Sequence, residues 1–278
     1  MTEAVSQRLL FTGAAGQLGR LLRPRLVRAG RELRLLDIAP IDAGEDGAVR
    51  LQGSVTDMAL MEQACAGVDA VLHFGGLSVE NTWQRVLDAN IHGSYVTLEA
   101  ARRQGVRHVV LASSNHAIGY IPTDRGLIPA DAPPRPDTNY GVSKAAMEAI
   151  GSLYADRYGM SVTAVRIGSC LERPPNARML RTWLSPADAI RLLDAAIAAP
   201  PGFRVVWGAS RNTRAWVSLE AGEAIGYFPQ DDSEVFAEAL LGERGDPPPD
   251  DPMMAHVGGL WCGPDWDTAV REQTESGT

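Results

Sequence analysis

Gly13, Gly16 and Gly19 stand in the stretch TGAAGQLG, between the apolar run RLLFTG (8–13) and the helical spacing of QLGRLLRPRLVRAG (17–30). A strand, a glycine-lined turn and a helix in direct succession constrain the fold of this chain more than any other feature. Such a turn brings bare backbone N–H groups up to a pyrophosphate at a helix N-terminus. A side chain larger than glycine or alanine would hold the phosphate off. Gln17 and Leu18 fall inside the same cofactor-binding turn. Pro24 predicts a mild kink in the helix, and Gly30 is expected to close it.

The alternation then continues. ELRLLD (32–37), VRLQG (49–53), VDAVLHF (68–74), RHVVLAS (107–113), SVTAVRIG (161–168) and FRVVWGA (203–209) read as apolar strands. Helical spacing falls at 56–67, with Thr56 as its expected cap, and at about 82–104, 140–158, 186–199 and 232–241. Continuous apolar strands alternating with helices predict an α/β fold: a Rossmann-type doubly wound parallel sheet, covered on both faces. The chain of 278 residues is expected to form a single unit. Within it, about 8–168 would bind the dinucleotide and about 169–270 would contribute a small C-terminal substrate cap. The Pro/Gly-rich stretch 243–264 predicts irregular structure, and 272–278 is expected to fray.

Composition narrows the function classes. A net charge of −8 gives no polyanion-binding surface, so nucleic acid is not an expected partner. Cys65, Cys170 and Cys262 are three, far apart and without CxxC spacing, which argues against a disulfide framework or a zinc site. The polar start MTEAVSQ and the absence of a long apolar run predict a cytoplasmic protein with no membrane segment.

Three further groups carry chemistry. Asp37 ends the second strand, where a carboxylate can accept hydrogen bonds from ribose hydroxyls and repels a 2′-phosphate. No arginine follows it before Arg50, so the expected cofactor is NAD rather than NADP. Of 26 basic residues only Lys144 is a lysine, and it lies four residues after Tyr140. On a helix the two share a face. A compact ammonium beside a phenol favours phenolate, which turns a group with an ordinary pKa near ~10 into a usable base. SSNHAIGY places Ser113, Ser114, Asn115 and His116 at a strand's carboxyl end, where ligands of open α/β sheets bind. His116 reads equally as a structural histidine or a site residue.

Together these residues resemble the extended short-chain dehydrogenase/reductase family, with its GxxGxxG turn, its acid after the second strand, its active-site serine and its YxxxK. HFGGLSVE (73–80) resembles the HxAA stretch of that family, and DANIHGSYVTLEAAR (88–102) its NxxGTxNxLEAA helix. Within the family the resemblance narrows to the uronate dehydrogenases, on ASSNHAIGY, VRIGSC, NARMLRTW (176–183) and VVWGAS. It implies NAD-dependent oxidation of galacturonate or glucuronate at C1 to an aldarolactone, by a homo-oligomer. Carried over, Tyr140 would be the base, Lys144 its tuner, and Ser114 the partner of the reacting hydroxyl. Ser78, Asn115, His116 and Ser169 would hold sugar hydroxyls, and Arg178 would pair with the uronate carboxylate. The family's adenine-edge Asp is replaced by Ser54, which either weakens the adenine contact or leaves it to the backbone and Val55. Two other readings stay open: an NAD-dependent sugar epimerase or dehydratase, and a non-catalytic NAD(P)-binding redox sensor.

Overall fold

The computed structural model describes residues 7–27, 31–44, 46–263 and 266. Its main sheet has seven strands: β1 (Gln7–Thr12), β2 (Arg31–Asp37), β3 (Val49–Gln52), β4 (Ala70–His73), β5 (His108–Ser114), β6 (Ser161–Ile167) and β9 (Gly202–Gly208). They lie in the order β3-β2-β1-β4-β5-β6-β9, and every pairing is parallel. This is the doubly wound arrangement, with the strand order reversing between β1 and β4. A second, two-stranded sheet pairs β7 (Ser169–Cys170) with β8 (Trp183–Leu184), and sequence spacing gave no sign of it.

Both faces are covered, as the continuous apolar strands require. Leu9 and Phe11 of β1 join one core, with Leu22 of helix α1 (Gln17–Leu26) and Leu192 of α7 (Pro186–Ala198). Leu10, between them, joins the other core, with Met61 of α2 (Met58–Cys65), Leu98 of α4 (Gly93–Arg103) and Met147 of α5 (Asn139–Tyr158). The pleat sends alternate side chains to opposite faces, so truncating any of these to alanine removes packing on one face, at about 2–5 kcal/mol.

Several boundaries shift from expectation. Helix α1 stops at Leu26, with Val27 already extended, and Pro24 lies in its last turn. Gly30 and the stretch 272–278 lie outside the described residues. The cap of α2 is Asp57 rather than Thr56: the Asp57 Oδ1 accepts the Leu60 N–H at 3.1 Å. Thr56 is occupied instead by Ser54, Oγ1 to Oγ at 2.7 Å. The segment at 82–104 is one helical run in three parts, α3 (Trp83–Val86), a π-helical turn (Leu87–His92) and α4. Strand β9 comes from the stretch assigned above to the cap, so the sheet takes part of it. Two short helices, α6 (Met179–Thr182) and α8 (Glu220–Glu223), precede α9 (Ala237–Leu241), which is entered through a 3₁₀ turn at Ser233–Phe236. Among the described residues no helix is long and apolar enough to cross a membrane.

Candidate active site

A cleft of about 710 Å³ runs along the carboxyl ends of the strands. The glycine turn, Asp37, Ser54 and Val55 line one end, and Ser114, Tyr140, Lys144 and Ser169 the other. Gly13 has φ +75°, and a Cβ there would sit 2.5 Å from the Phe74 carbonyl oxygen. A Cβ on Gly19 would lie 2.4 Å from the Gly13 oxygen, so helix α1 closes onto its own turn. On Gly16 the only neighbour would be that same oxygen at 3.2 Å, so its missing side chain leaves the cleft floor bare. This floor, at the N-terminus of α1, suits a pyrophosphate. The Asp37 carboxylate accepts the Ala15 N–H at 2.9 Å and the Ala39 N–H at 3.0 Å, one on each oxygen. Each oxygen keeps a lone pair for a ribose hydroxyl. Among the described lining residues the only lysine or arginine is Lys144, so nothing in the cleft answers a 2′-phosphate. The residues present fit NAD.

Behind this surface a buried polar network joins β1, β4 and the helices. Thr12 Oγ1 lies 3.0 Å from His73 Nδ1 and accepts the Gly75 N–H at 3.0 Å. Burial and the nearby Lys144 charge push the His73 pKa down to about 3, so it is neutral. Asn90, fully buried in the π-helical turn, donates to Ser143 at 2.9 Å and accepts the Leu77 N–H at 2.7 Å. It ties the loop after β4 to helix α5.

Tyr140 and Lys144 sit on α5, and both are buried. Lys144 Nζ donates to the Ala112 carbonyl at 2.7 Å and lies 5.4 Å from the Tyr140 ring centre. The two share a face, as their spacing predicted. Burial pushes the Tyr140 hydroxyl up to about 12, while a hydrogen bond with Ser114 pulls the other way. Burial also lowers Lys144 to about 8, against the pull of Glu148. The tuning expected of Lys144 is therefore not the dominant influence on Tyr140 in this structure; loss of water from both groups is.

The other candidate residues divide. Ser114, Asn115, His116, Ser169 and the exposed Ser78 all line the cleft. Ser169 Oγ lies 3.3 Å from Thr182 Oγ1, at the end of α6. Asn115 Nδ2 donates to the Val257 carbonyl at 3.2 Å. Ser113 also lines the cleft, but its hydroxyl belongs to a structural cluster: it donates to Glu148 at 2.6 Å, and Glu148 is held by Arg166 Nε at 2.9 Å and Nη2 at 2.8 Å. Arg178 is not among the residues that line the cleft. Its Nη2 donates to the same Val257 carbonyl, and its buried Nε has no hydrogen-bond partner among the described residues.

Three residues of the site were not read from the sequence. Glu80 accepts backbone N–H groups at the start of α5. Asp137 takes His116 Nδ1 at 2.6 Å. Trp261 stacks on the His116 ring at 3.9 Å between centres. Trp261 belongs to the stretch expected to be irregular, which folds back over the cleft through a 3₁₀ turn at Gly259–Cys262. An acid three residues before Tyr140, and glycines flanking an aromatic in VGGLWCG, were the available signals.

The model of the NAD dependent epimerase/dehydratase family matches residues 9–219. The chain belongs to that family. It is 42% identical, over 94% of its own length and 98% of the relative's, to the uronate dehydrogenase of Pseudomonas putida. A crystal structure of a mutant uronate dehydrogenase from Agrobacterium tumefaciens complexed with NAD superposes with a TM-score of 0.86 at 40% identity, covering 92% of this chain and 97% of that one. The glucuronic acid dehydrogenase of Chromohalobacter salexigens gives 0.87 at 40% identity, with 92% and 96% covered. The seven-stranded sheet and the extended short-chain dehydrogenase/reductase resemblance are thus both in place.

Proposed function

We propose that this chain oxidises the C1 hydroxyl of a hexuronic acid, galacturonate or glucuronate, with NAD. The observation that carries the reading is one continuous cleft leading from the glycine turn and Asp37 to Tyr140, Lys144 and Ser114. The names of the three similar proteins given above, uronate or glucuronic acid dehydrogenases, support it.

NAD, when bound, supplies the hydride acceptor. Gly13, Gly16, Gln17, Leu18 and Gly19 would hold its phosphates, Asp37 the adenosine ribose, and Ser54 and Val55 the adenine edge. Tyr140 takes the proton from the reacting hydroxyl, which Ser114 shares as a hydrogen-bond partner. Lys144, whose charge already faces the phenol ring, favours the phenolate. Loss of hydride from a hemiacetal carbon and of the proton from its hydroxyl leaves a lactone directly, so the redox step consumes no water. Ser78, Asn115, His116 and Ser169 would orient the sugar hydroxyls. Arg178 would meet the carboxylate. Its unpartnered buried Nε supports that role, since a buried guanidinium donor without an acceptor is costly. Under this reading residues 169–270 act as a small cap within a single unit, in a cytoplasmic homo-oligomer.

Incubation with NAD and each uronate, followed at the NADH absorbance band, tests the proposal. Net NADH formation with a uronate, and little with the neutral hexose, is expected. An epimerase or dehydratase of this family would form none, and its NAD would stay bound.

A further inference from the structure

His116 faces the cleft with one ring nitrogen committed elsewhere. Its Nδ1 lies 2.6 Å from Asp137 Oδ2, and the Asp137 side chain is fully buried. The carboxylate is enclosed with little slack. A Cβ on Gly119 or on Gly258 would fall 1.9 Å from Asp137 Oδ2, so those two backbones approach it only because both residues are glycine. The Thr138 hydroxyl donates to its Oδ1 at 3.0 Å, and the Cys262 thiol lies 3.9 Å from Oδ2. Trp261 covers the imidazole at 3.9 Å and is itself stacked on Trp266 at 4.7 Å. The ring therefore cannot flip without breaking both its carboxylate bond and its stack.

We infer that Asp137 is a positioning residue that fixes His116 as the Nδ1–H tautomer, so that Nε2 offers the cleft an acceptor for a sugar hydroxyl. The imidazole tautomer is set by the bond its other nitrogen makes, and a buried carboxylate accepts but cannot donate. The groups facing His116 are Asp137 and Glu80, which favour its protonation, and Arg178, which opposes it, with Tyr140 edge-on at 5.9 Å. Burial outweighs them and holds the His116 pKa below its ordinary value, so the ring is neutral near pH 7. A neutral, fixed acceptor recognises a hydroxyl donor and discriminates against a ligand that presents only acceptors at that point.

The inference rests on the reading of the cleft proposed above, but its main test needs no substrate. Nitrogen-15 spectra of histidine-labelled protein contain five ring systems, and the His116→Asn variant assigns the missing one. The expected spectrum has a protonated, pyrrole-like Nδ1 and a bare, pyridine-like Nε2. Asp137→Asn, whose amide can donate to Nδ1, is expected to release the Nε2–H form and to lower kcat/KM for the uronate about tenfold, mainly through KM. A wild-type ring protonated at Nε2, singly or doubly, overturns the inference even if the variant fails to fold. So does an Asp137→Asn protein with tautomer and kcat/KM both unchanged. A protein with the expected spectrum but no NADH formation would keep the tautomer and sink the uronate reading instead.

Discussion

Glu80 accepts the backbone N–H of Tyr140 at 2.7 Å and that of Asn139 at 3.2 Å. One buried carboxylate thus closes the first turn of the helix that carries the proposed base, at the end where the helix dipole favours negative charge. It also anchors the loop bearing Ser78. Glu80→Ala would leave one buried and one part-buried N–H group unsatisfied, and we expect it to lose about 1–3 kcal/mol in denaturant unfolding. Its kcat should fall as Tyr140 loosens, while NAD affinity changes little. Glu80→Gln should recover part of both losses. Wild-type stability in the alanine variant would show that the contact is idle.

Tyr140 should ionise late in the free protein and earlier in the complex. With its pKa pushed up to about 12 by burial, no phenolate from this residue is expected below about pH 10 in an absorbance titration compared against Tyr140→Phe. Saturating NAD should move that ionisation toward neutrality if Lys144 is the tuner. Tyr140→Phe should still bind NAD but turn over at least about a thousandfold more slowly. A near-normal kcat in that variant would falsify its assignment as the base.

Arg178→Ala should separate substrates by charge. We expect KM for the uronate to rise by about tenfold or more, with little change for the neutral parent hexose. Equal losses for both sugars would mean that Arg178 serves only the Val257 carbonyl.

Lys144 makes a stability prediction whose sign is unusual for an interaction near a catalytic group. Its pKa is lowered from an ordinary 10.5 to about 8. Between those values the unfolded chain binds more protons than the folded one, so stability rises with pH across that window. The burial penalty is fully present below about pH 8 and relieved by about pH 10.5, a change of about 3 kcal/mol. The stability difference between Lys144→Met and wild type, measured by denaturant unfolding, should shrink by that amount as pH rises from 8 to 10.5. A difference that is flat with pH would mean the ammonium is not desolvated.

Much of this was legible in the sequence because it depends on local pattern. The glycine turn, the strand of ELRLLD ending in Asp37 and the four-residue step from Tyr140 to Lys144 each carry their geometry in their spacing. The residues that were missed act across the chain. Glu80 bonds a backbone 60 positions away, and Val257 takes Asn115 from 142 positions away. Neither has a periodic signature. Asp137 stands beside Thr138, the true cap of α5, so an acid there reads as part of the cap rather than as a partner for His116. The effect of burial on Tyr140 and Lys144 was also out of reach. Sequence gives their proximity but not the water they lose.

The Val257 carbonyl receives both Asn115 and Arg178, so the end of the cleft near Tyr140 is held by a stretch translated long after the glycine turn and Asp37. Under the proposed reading, a nascent chain still short of Val257 on the ribosome could already hold a dinucleotide yet be blind to sugar. Final docking of the late segment would be the moment at which a generic nucleotide fold acquires its selectivity.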